Sequence, residues 1–182
     1  MTRGAAAVGS IVFAAGMPGV MAGLVPYLIT GGWQGSGAPL ALQVVGALLI
    51  AAGVGVLART VIRFVVEGLG TPFPGAPTQN LVVGGVYRYV RNPMYLAVIA
   101  IILGQAAILG SASLVVIAAI FWLVVASFVV FYEEPTLSSK YGEQYAAYRR
   151  NVRAWLPRAT PWRGGDGSTA SDVDPRDRRL TT

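Results

Sequence analysis

GGVYRYVRNPMY at residues 84–95 and YEEPTLSSKYGEQYAAY at residues 132–148 decide how this chain folds. Between them lie two apolar runs, 93–109 and 113–131, parted only by Gly110, Ser111 and Ala112. A connection that short makes two helices antiparallel neighbours. The arginine-rich start of the first run and the two glutamates closing the second, Glu133 and Glu134, are therefore expected side by side at one membrane surface.

Composition supplies the surroundings. Of 182 residues, 54% are hydrophobic and 12% charged, with a mean hydropathy of +0.59; a soluble domain carries about 25% charged residues. This is the composition of an integral membrane protein. Cysteine and histidine are both absent. Their absence removes disulfides, thiolate nucleophiles, the commonest metal ligand and the commonest general base near neutral pH. No metal site is expected. The formal charge is +6, and nine of the fourteen basic residues precede Pro157 (Arg3, Arg59, Arg63, Arg88, Arg91, Lys140, Arg149, Arg150 and Arg153). Membrane topology explains that placement, so nucleic acid is not an expected partner.

Taken in order, residues 5–30 are almost wholly apolar and exceed the roughly 20 residues a crossing needs. Pro18 and Pro26 bend such a helix without excluding it from a membrane. The run is longer than the h-region of about 7–15 residues in a signal peptide, so it reads as a retained helix. Residues 31–39 form an uncharged linker. Residues 40–58 are a second span, continuing through Arg59, Arg63 and Glu67 into the interface, where arginines snorkel. Residues 68–80 hold three prolines and three glycines and read as an irregular loop. Residues 81–83 are expected to be extended against the membrane surface. Four crossings put both termini on one side, and the loops on the other side, 31–39 and 110–112, carry no charge. The positive-inside rule makes the shared side cytoplasmic; if the source is bacterial, the membrane is the inner, or cell, membrane.

Pro135 is expected to stop the fourth helix. Beyond it Tyr141, Tyr145, Tyr148, Val152 and Trp155 recur at spacings of four, three, four and three, one aromatic face of a helix. That face either anchors an interfacial helix or lines a site. From Arg158 the Gly, Ser, Thr, Asp and Arg mixture reads as a disordered tail. The expected fold is all-α: a polytopic membrane protein of four transmembrane helices plus a C-terminal amphipathic interfacial helix. Three sections follow, with two N-terminal helices over 1–67, a core over 68–157 and a tail over 158–182.

Asn92 and Pro93 suit a helix start, asparagine as the cap and proline at the first helical position. Arg88 and Arg91 suit lipid phosphates as well as a ligand. Adjacent glutamates at a membrane boundary are costly unless paired; arginine partners would satisfy them, and so would a cationic ligand. The start of the third span carries a partial positive charge reinforced by Arg91, and the end of the fourth a partial negative charge reinforced by Glu133 and Glu134. A zwitterionic amino-acid moiety with an added cationic centre matches both. S-Adenosylmethionine has that pattern, as do other zwitterions.

These segments resemble the isoprenylcysteine carboxyl methyltransferase and phospholipid methyltransferase superfamily over about residues 70–157. Its Arg-His-Pro-x-Tyr motif is matched by Arg91, Pro93 and Tyr95, with Asn92 in the histidine position. Its paired glutamates, leucine and Tyr/Phe-Gly step are matched by Glu133, Glu134, Leu137, Tyr141 and Gly142, and its later tyrosines and basic residues by Tyr145, Tyr148, Arg149 and Arg153. The resemblance implies an S-adenosylmethionine-dependent membrane methyltransferase. It implies cofactor binding by Tyr87, Arg91, Asn92, Pro93, Tyr95, Glu133, Glu134, Tyr145 and Arg149, with Glu133, Glu134 and Arg91 as the catalytic set. Asn92 cannot take a proton, so that position is no base. The implied partners are membrane lipids and a lipophilic or lipidated acceptor such as an isoprenylcysteine carboxylate. Two alternatives stand beside this reading: a nicotinamide-dependent reductase of the sterol reductase type, and a non-catalytic accessory protein. Oligomeric state is open, although Gly46 and Gly53 permit close helix contacts.

Overall fold

The computed structural model describes residues 16–35, 37–66, 81 and 83–163. Among these every regular element is helical: α1 (Gly16–Ile29), α2 (Leu40–Val66), a 3-10 turn (Gly85–Arg88), α3 (Pro93–Leu109), α4 (Ala112–Tyr141) and α5 (Glu143–Asn151). Two stretches, Leu40–Thr60 and Ala112–Tyr141, are long and apolar enough to cross a membrane, while α1 and α3 are shorter apolar helices. The expected start of the first span, Glu67 and the loop at 68–80 lie outside the described residues.

The central helix is α3, with α2 and α4 packed against it and α1 touching both α3 and α4. The α2–α3 seam brings backbone against backbone. A methyl group added at Gly46 would stand 2.5 Å from the Gly104 carbonyl oxygen, and one at Gly104 would stand 2.6 Å from that of Gly46. Gly53 is similarly close to Ile101 and the Ala97 carbonyl. The small residues of the second span thus serve contacts within the chain, as small residues do where membrane helices approach closely.

Helices α3 and α4 are the antiparallel pair the short connection requires. Gly110 turns the chain with φ 65°, a left-handed conformation that suits glycine, and the Ser111 N–H returns to Ala106 O at 3.0 Å. Val98, Ile102 and Ala106 of α3 interlock with Leu114, Ala118, Phe121 and Val125 of α4 as the main core. Leu48, Val116, Leu123, Val124 and Phe131 face outward and are exposed. An apolar exterior of that kind is what a hydrocarbon surrounding accepts.

Pro26 and Pro135 are absorbed by π turns rather than ending their helices. Val20–Leu24 precedes Pro26, and Val129–Glu133 precedes Pro135; in each the following residue donates five positions back, Val25 to Val20 O and Glu134 to Val129 O. The wider turn accommodates a ring that lacks an N–H and clashes with the carbonyl four residues earlier. For Pro26 that carbonyl is Ala22 O, and the side chain of Gln105 on α3 donates to it from Nε2 at 2.7 Å. The Gln105 Oε1 in turn accepts from Trp33 Nε1 at 2.9 Å. One amide therefore repairs the proline defect and ties the 31–39 linker to α3.

Pro135 consequently does not stop the fourth helix, which runs on to Tyr141. The stop is Gly142, at φ 49° and ψ −123°, a conformation that a side chain disfavours. Glu133 and Glu134 therefore sit inside a continuous helix, and the expected reinforcement by a helix C-terminus does not apply to them. The aromatic helix is also shorter than expected. It ends at Asn151, Val152 is extended, and Trp155 lies beyond it. Tyr145, Tyr148 and Val152 point into the protein, where they cluster with Trp162, Leu81 and Val83. The aromatic face thus packs on the chain itself. Leu81 and Val83 belong to the same cluster, so their apolar side chains pack on protein. The tail begins later than its composition suggested, since Arg158 and Trp162 are hydrogen-bonded to the rest of the chain; residues beyond 163 are outside the described residues.

Candidate functional site

The site is built on the irregular passage from Arg88 to Asn92, which leads the chain from the 3-10 turn into α3. The C-terminal segment clasps it along its length. Arg91 N–H donates to Arg153 O at 3.0 Å and Asn92 N–H to Ala154 O at 3.3 Å, while Arg158 and Trp162 N–H groups donate to Tyr89 O and Arg88 O, each at 2.9 Å. The Arg88 Nε closes the frame on Trp162 O at 2.6 Å. With Val90 buried beneath it, this passage has little freedom to move.

Arg91 projects from that frame to α4 and α5. Its Nη1 lies 2.8 Å from Glu134 Oε1 and 2.9 Å from the Tyr145 hydroxyl. Glu134 Oε2 meets Arg149 Nη2 at 3.1 Å. The Arg91 and Glu134 side chains retain only 12% and 11% exposure, whereas Arg149 retains 56%. The inner pair is thus desolvated, and removing either partner would strand a buried charge. The outer pair is solvent-screened and contributes little.

The two glutamates, adjacent in sequence, have different surroundings. Glu134 has two arginines. Glu133 accepts from the Tyr95 hydroxyl at 3.4 Å, at the long end of hydrogen bonding, and among the described residues no ion pair to it is seen. The Tyr95 ring lies 6.4 Å from that of Trp155, which lies 6.2 Å from that of Trp122. Trp122 is 42% exposed on the outer face of α4. A row of aromatic side chains therefore runs from the exposed face of α4 to the Glu133 carboxylate.

Asn92 occupies the helix N-cap position, with Pro93 at the start of α3, yet its side chain makes no capping hydrogen bond. The residue is 6% exposed and its Nδ2 has no partner. Arg91 Nε and Trp162 Nε1 are likewise buried donors without acceptors. Such groups are uncommon in folded proteins and call for a functional or solvent explanation.

Aromatic hydroxyls complete the environment. The Tyr148 hydroxyl donates to Tyr87 O at 2.7 Å. Burial raises the hydroxyls of Tyr87, Tyr145 and Tyr148 above the ordinary tyrosine value, and for Tyr87 the Glu133 charge adds to the effect; Arg91 opposes it for Tyr145 and Tyr148. All three stay protonated at neutral pH and act as hydrogen-bonding groups.

Of the residues named from sequence, Arg91, Glu134, Tyr145 and Arg149 meet in one network, and Tyr95 joins Glu133. Asn92 and Pro93 adjoin them in the chain, and Tyr87 accepts from the Tyr148 hydroxyl at its carbonyl while its own buried hydroxyl feels the Glu133 charge. Trp155, expected on the aromatic face of a helix, lies beyond the helix end and beside Tyr95 instead, and Trp162 was not anticipated. The available signal was a tryptophan at 162 in a stretch otherwise composed like a disordered tail.

An apolar helical bundle with buried arginine, paired glutamates and tyrosines gathered at one end defines an integral membrane protein with a charged, aromatic-lined site. The pattern of the phospholipid methyltransferase family matches residues 41–144, more than half the chain, and the protein belongs to that family. This agrees with the superfamily that its two motifs resemble, and membership implies methyltransferase activity. A Haemophilus influenzae protein described only as uncharacterized is 38% identical over 63 residues, covering 35% of this chain and all of that protein. No solved structure matches the chain.

Proposed function

We propose that the protein is an S-adenosylmethionine-dependent methyltransferase whose cofactor site lies at the cytoplasmic end of α3 and α4. Its acceptor is lipophilic, in the manner of an isoprenylcysteine carboxylate, and reaches the site sideways from the bilayer. The four apolar helices α1 to α4 all cross the membrane in this reading, with both termini cytoplasmic. The observation that carries the proposal is the pair of buried, acceptor-less donors, Arg91 Nε and Asn92 Nδ2, beside a carboxylate with no ion pair. Two donors suit the carboxylate of an amino-acid moiety, and Glu133 suits its ammonium and the neighbouring positive centre.

Bound S-adenosylmethionine supplies a methyl group already activated on a sulfonium. The chain therefore needs to position and desolvate rather than to generate a nucleophile. Asn92 donates and cannot take a proton. Glu134, neutralised between Arg91 and Arg149, fixes the Arg91 guanidinium and is a positioning residue. Glu133 is left as the proton acceptor for any acceptor that arrives protonated, whereas an acceptor carboxylate arrives ionised and makes no such demand. The row of Trp122, Trp155 and Tyr95, exposed at its Trp122 end, offers a lipophilic acceptor an aromatic surface leading toward Glu133.

The test is transfer of a labelled methyl group from S-adenosylmethionine by purified protein to an isoprenylated cysteine, a membrane lipid extract and a hydrophobic thiol. A labelled, solvent-extractable product is expected. Absence of product with all three from a folded sample would contradict the reading.

A further inference from the structure

We infer that Trp162 belongs to the binding site, its indole N–H donating to a ring nitrogen of the purine half of the cofactor. The inference rests on the methyltransferase reading above and adds a residue that neither of the motifs contains.

Trp162 is 9% exposed, and its Nε1 is buried with no partner. It is fixed by its backbone. The N–H donates to Arg88 O, the carbonyl accepts from Arg88 Nε, and Arg88 lies three residues before Arg91. Its ring lies 5.5 Å from that of Tyr148, which lies 6.4 Å from that of Tyr145, whose hydroxyl accepts from Arg91. All three acceptor-less buried side-chain donors found among the described residues thus sit on residues joined by one series of contacts, from Asn92 and Arg91 through Tyr145 and Tyr148 to Trp162.

A ligand that satisfies the whole series presents acceptors at both ends. At the Arg91 end the donors include a guanidinium, which suits a carboxylate. At the Trp162 end the donor is a neutral indole among aromatic rings, with Arg88 Nε committed to a carbonyl. A neutral planar heterocycle fits there, because it offers ring nitrogens as acceptors and a face that packs on aromatic side chains. A purine joined to an amino acid has both ends.

Trp162→Phe separates a ligand role from a structural one. It keeps an aromatic ring beside Tyr148 and removes the N–H, which bonds nothing in the protein, together with part of a buried ring, so the ligand-free variant should stay folded and unfold at a somewhat lower denaturant concentration than wild type. Calorimetry with S-adenosylhomocysteine should show affinity roughly five- to tenfold weaker, the worth of one hydrogen bond. Adenosine should weaken by the same factor, and L-methionine, measured by competition, should not change. Unchanged affinity for S-adenosylhomocysteine in the variant would overturn the role of Trp162 and leave the methyltransferase reading standing. So would an equal loss for L-methionine, which would mark a structural defect. Loss of binding to vesicles containing phosphatidic acid, with S-adenosylhomocysteine unaffected, would assign the donor to lipid phosphate and refute the inference. Failure of folded wild-type protein to bind S-adenosylhomocysteine would refute both readings.

Discussion

The α2–α3 seam makes a prediction in which one substitution has opposite effects at two glycines. In Gly104→Ala the new methyl would lie 2.6 Å from Gly46 O, 2.7 Å from Ile50 Cγ1 and 3.1 Å from the Ile50 nitrogen, where ordinary contact begins at 3.4 Å. The carbonyl shortfall is 0.8 Å (3.4 minus 2.6). Two of the three obstacles are backbone atoms that no rotamer change can clear, so the helices must separate along a seam that also includes Gly53. Overpacking of this kind costs about 1–3 kcal/mol. Alanine regains about 0.5–1 kcal/mol of helix propensity over glycine, leaving a net destabilisation of about 1–2 kcal/mol. Gly55 is the control, since it lies on α2 with nothing within 4 Å of an added methyl; there Ala should stabilise by about 0.5–1 kcal/mol. Both variants can be unfolded by SDS titration in mixed micelles and followed by far-ultraviolet circular dichroism. Equal stability of Gly104→Ala and Gly55→Ala would refute the seam.

Three further outcomes follow from the same geometry. Gln105→Leu strands the Ala22 carbonyl freed by Pro26 and also releases Trp33, and should cost about 1–3 kcal/mol in the same unfolding assay; no loss would mean that the amide repairs nothing. Glu134→Gln removes the counter-charge of buried Arg91 and should cost about 3 kcal/mol, whereas Arg149→Gln, at the exposed end of the network, should cost less than about 1 kcal/mol. Equal losses would contradict the division into inner and outer pairs. Alkaline pH should destabilise the protein. The unfolded chain releases tyrosine protons near the ordinary value of 10.0, while folded Tyr87, Tyr145 and Tyr148 hold theirs to higher pH. The folded state then binds more protons, so its stability is full below about pH 10 and falls above it. Denaturant titrations at pH 8 and pH 11 check this, with Tyr148→Phe expected to flatten the slope.

Much of this arrangement was legible because it depends on short-range patterns. The three-residue break at Gly110, Ser111 and Ala112 sufficed to bring Arg91 to Glu134. What escaped the sequence depends on groups distant in the chain. Pro135 carries the same local signal whether a helix ends or widens into a π turn, and the groups that meet this part of α4, Tyr95 on Glu133 and Arg91 and Arg149 on Glu134, come from elsewhere in the chain. Spacing put Tyr145, Tyr148 and Trp155 on one face, but could not show that the helix would end at Asn151 and send Trp155 toward Tyr95 and Trp122. Asn92 looked like a cap because asparagines at that position usually are. Its buried, unpaired amide depends on the Arg153–Ala154 passage some sixty residues later. Tail composition concealed Trp162 for the same reason, since its order comes from backbone bonds to Arg88.

Calorimetric titration of S-adenosylmethionine into detergent-solubilised protein tests the central claim most directly. Glu133→Gln, which breaks no ion pair seen among the described residues, and a reduced nicotinamide cofactor should be run alongside. The account predicts binding by wild type, at least tenfold weaker binding by a variant of unchanged helicity, and none of the nicotinamide compound. A folded wild-type protein that ignores S-adenosylmethionine and takes up the nicotinamide compound would contradict it.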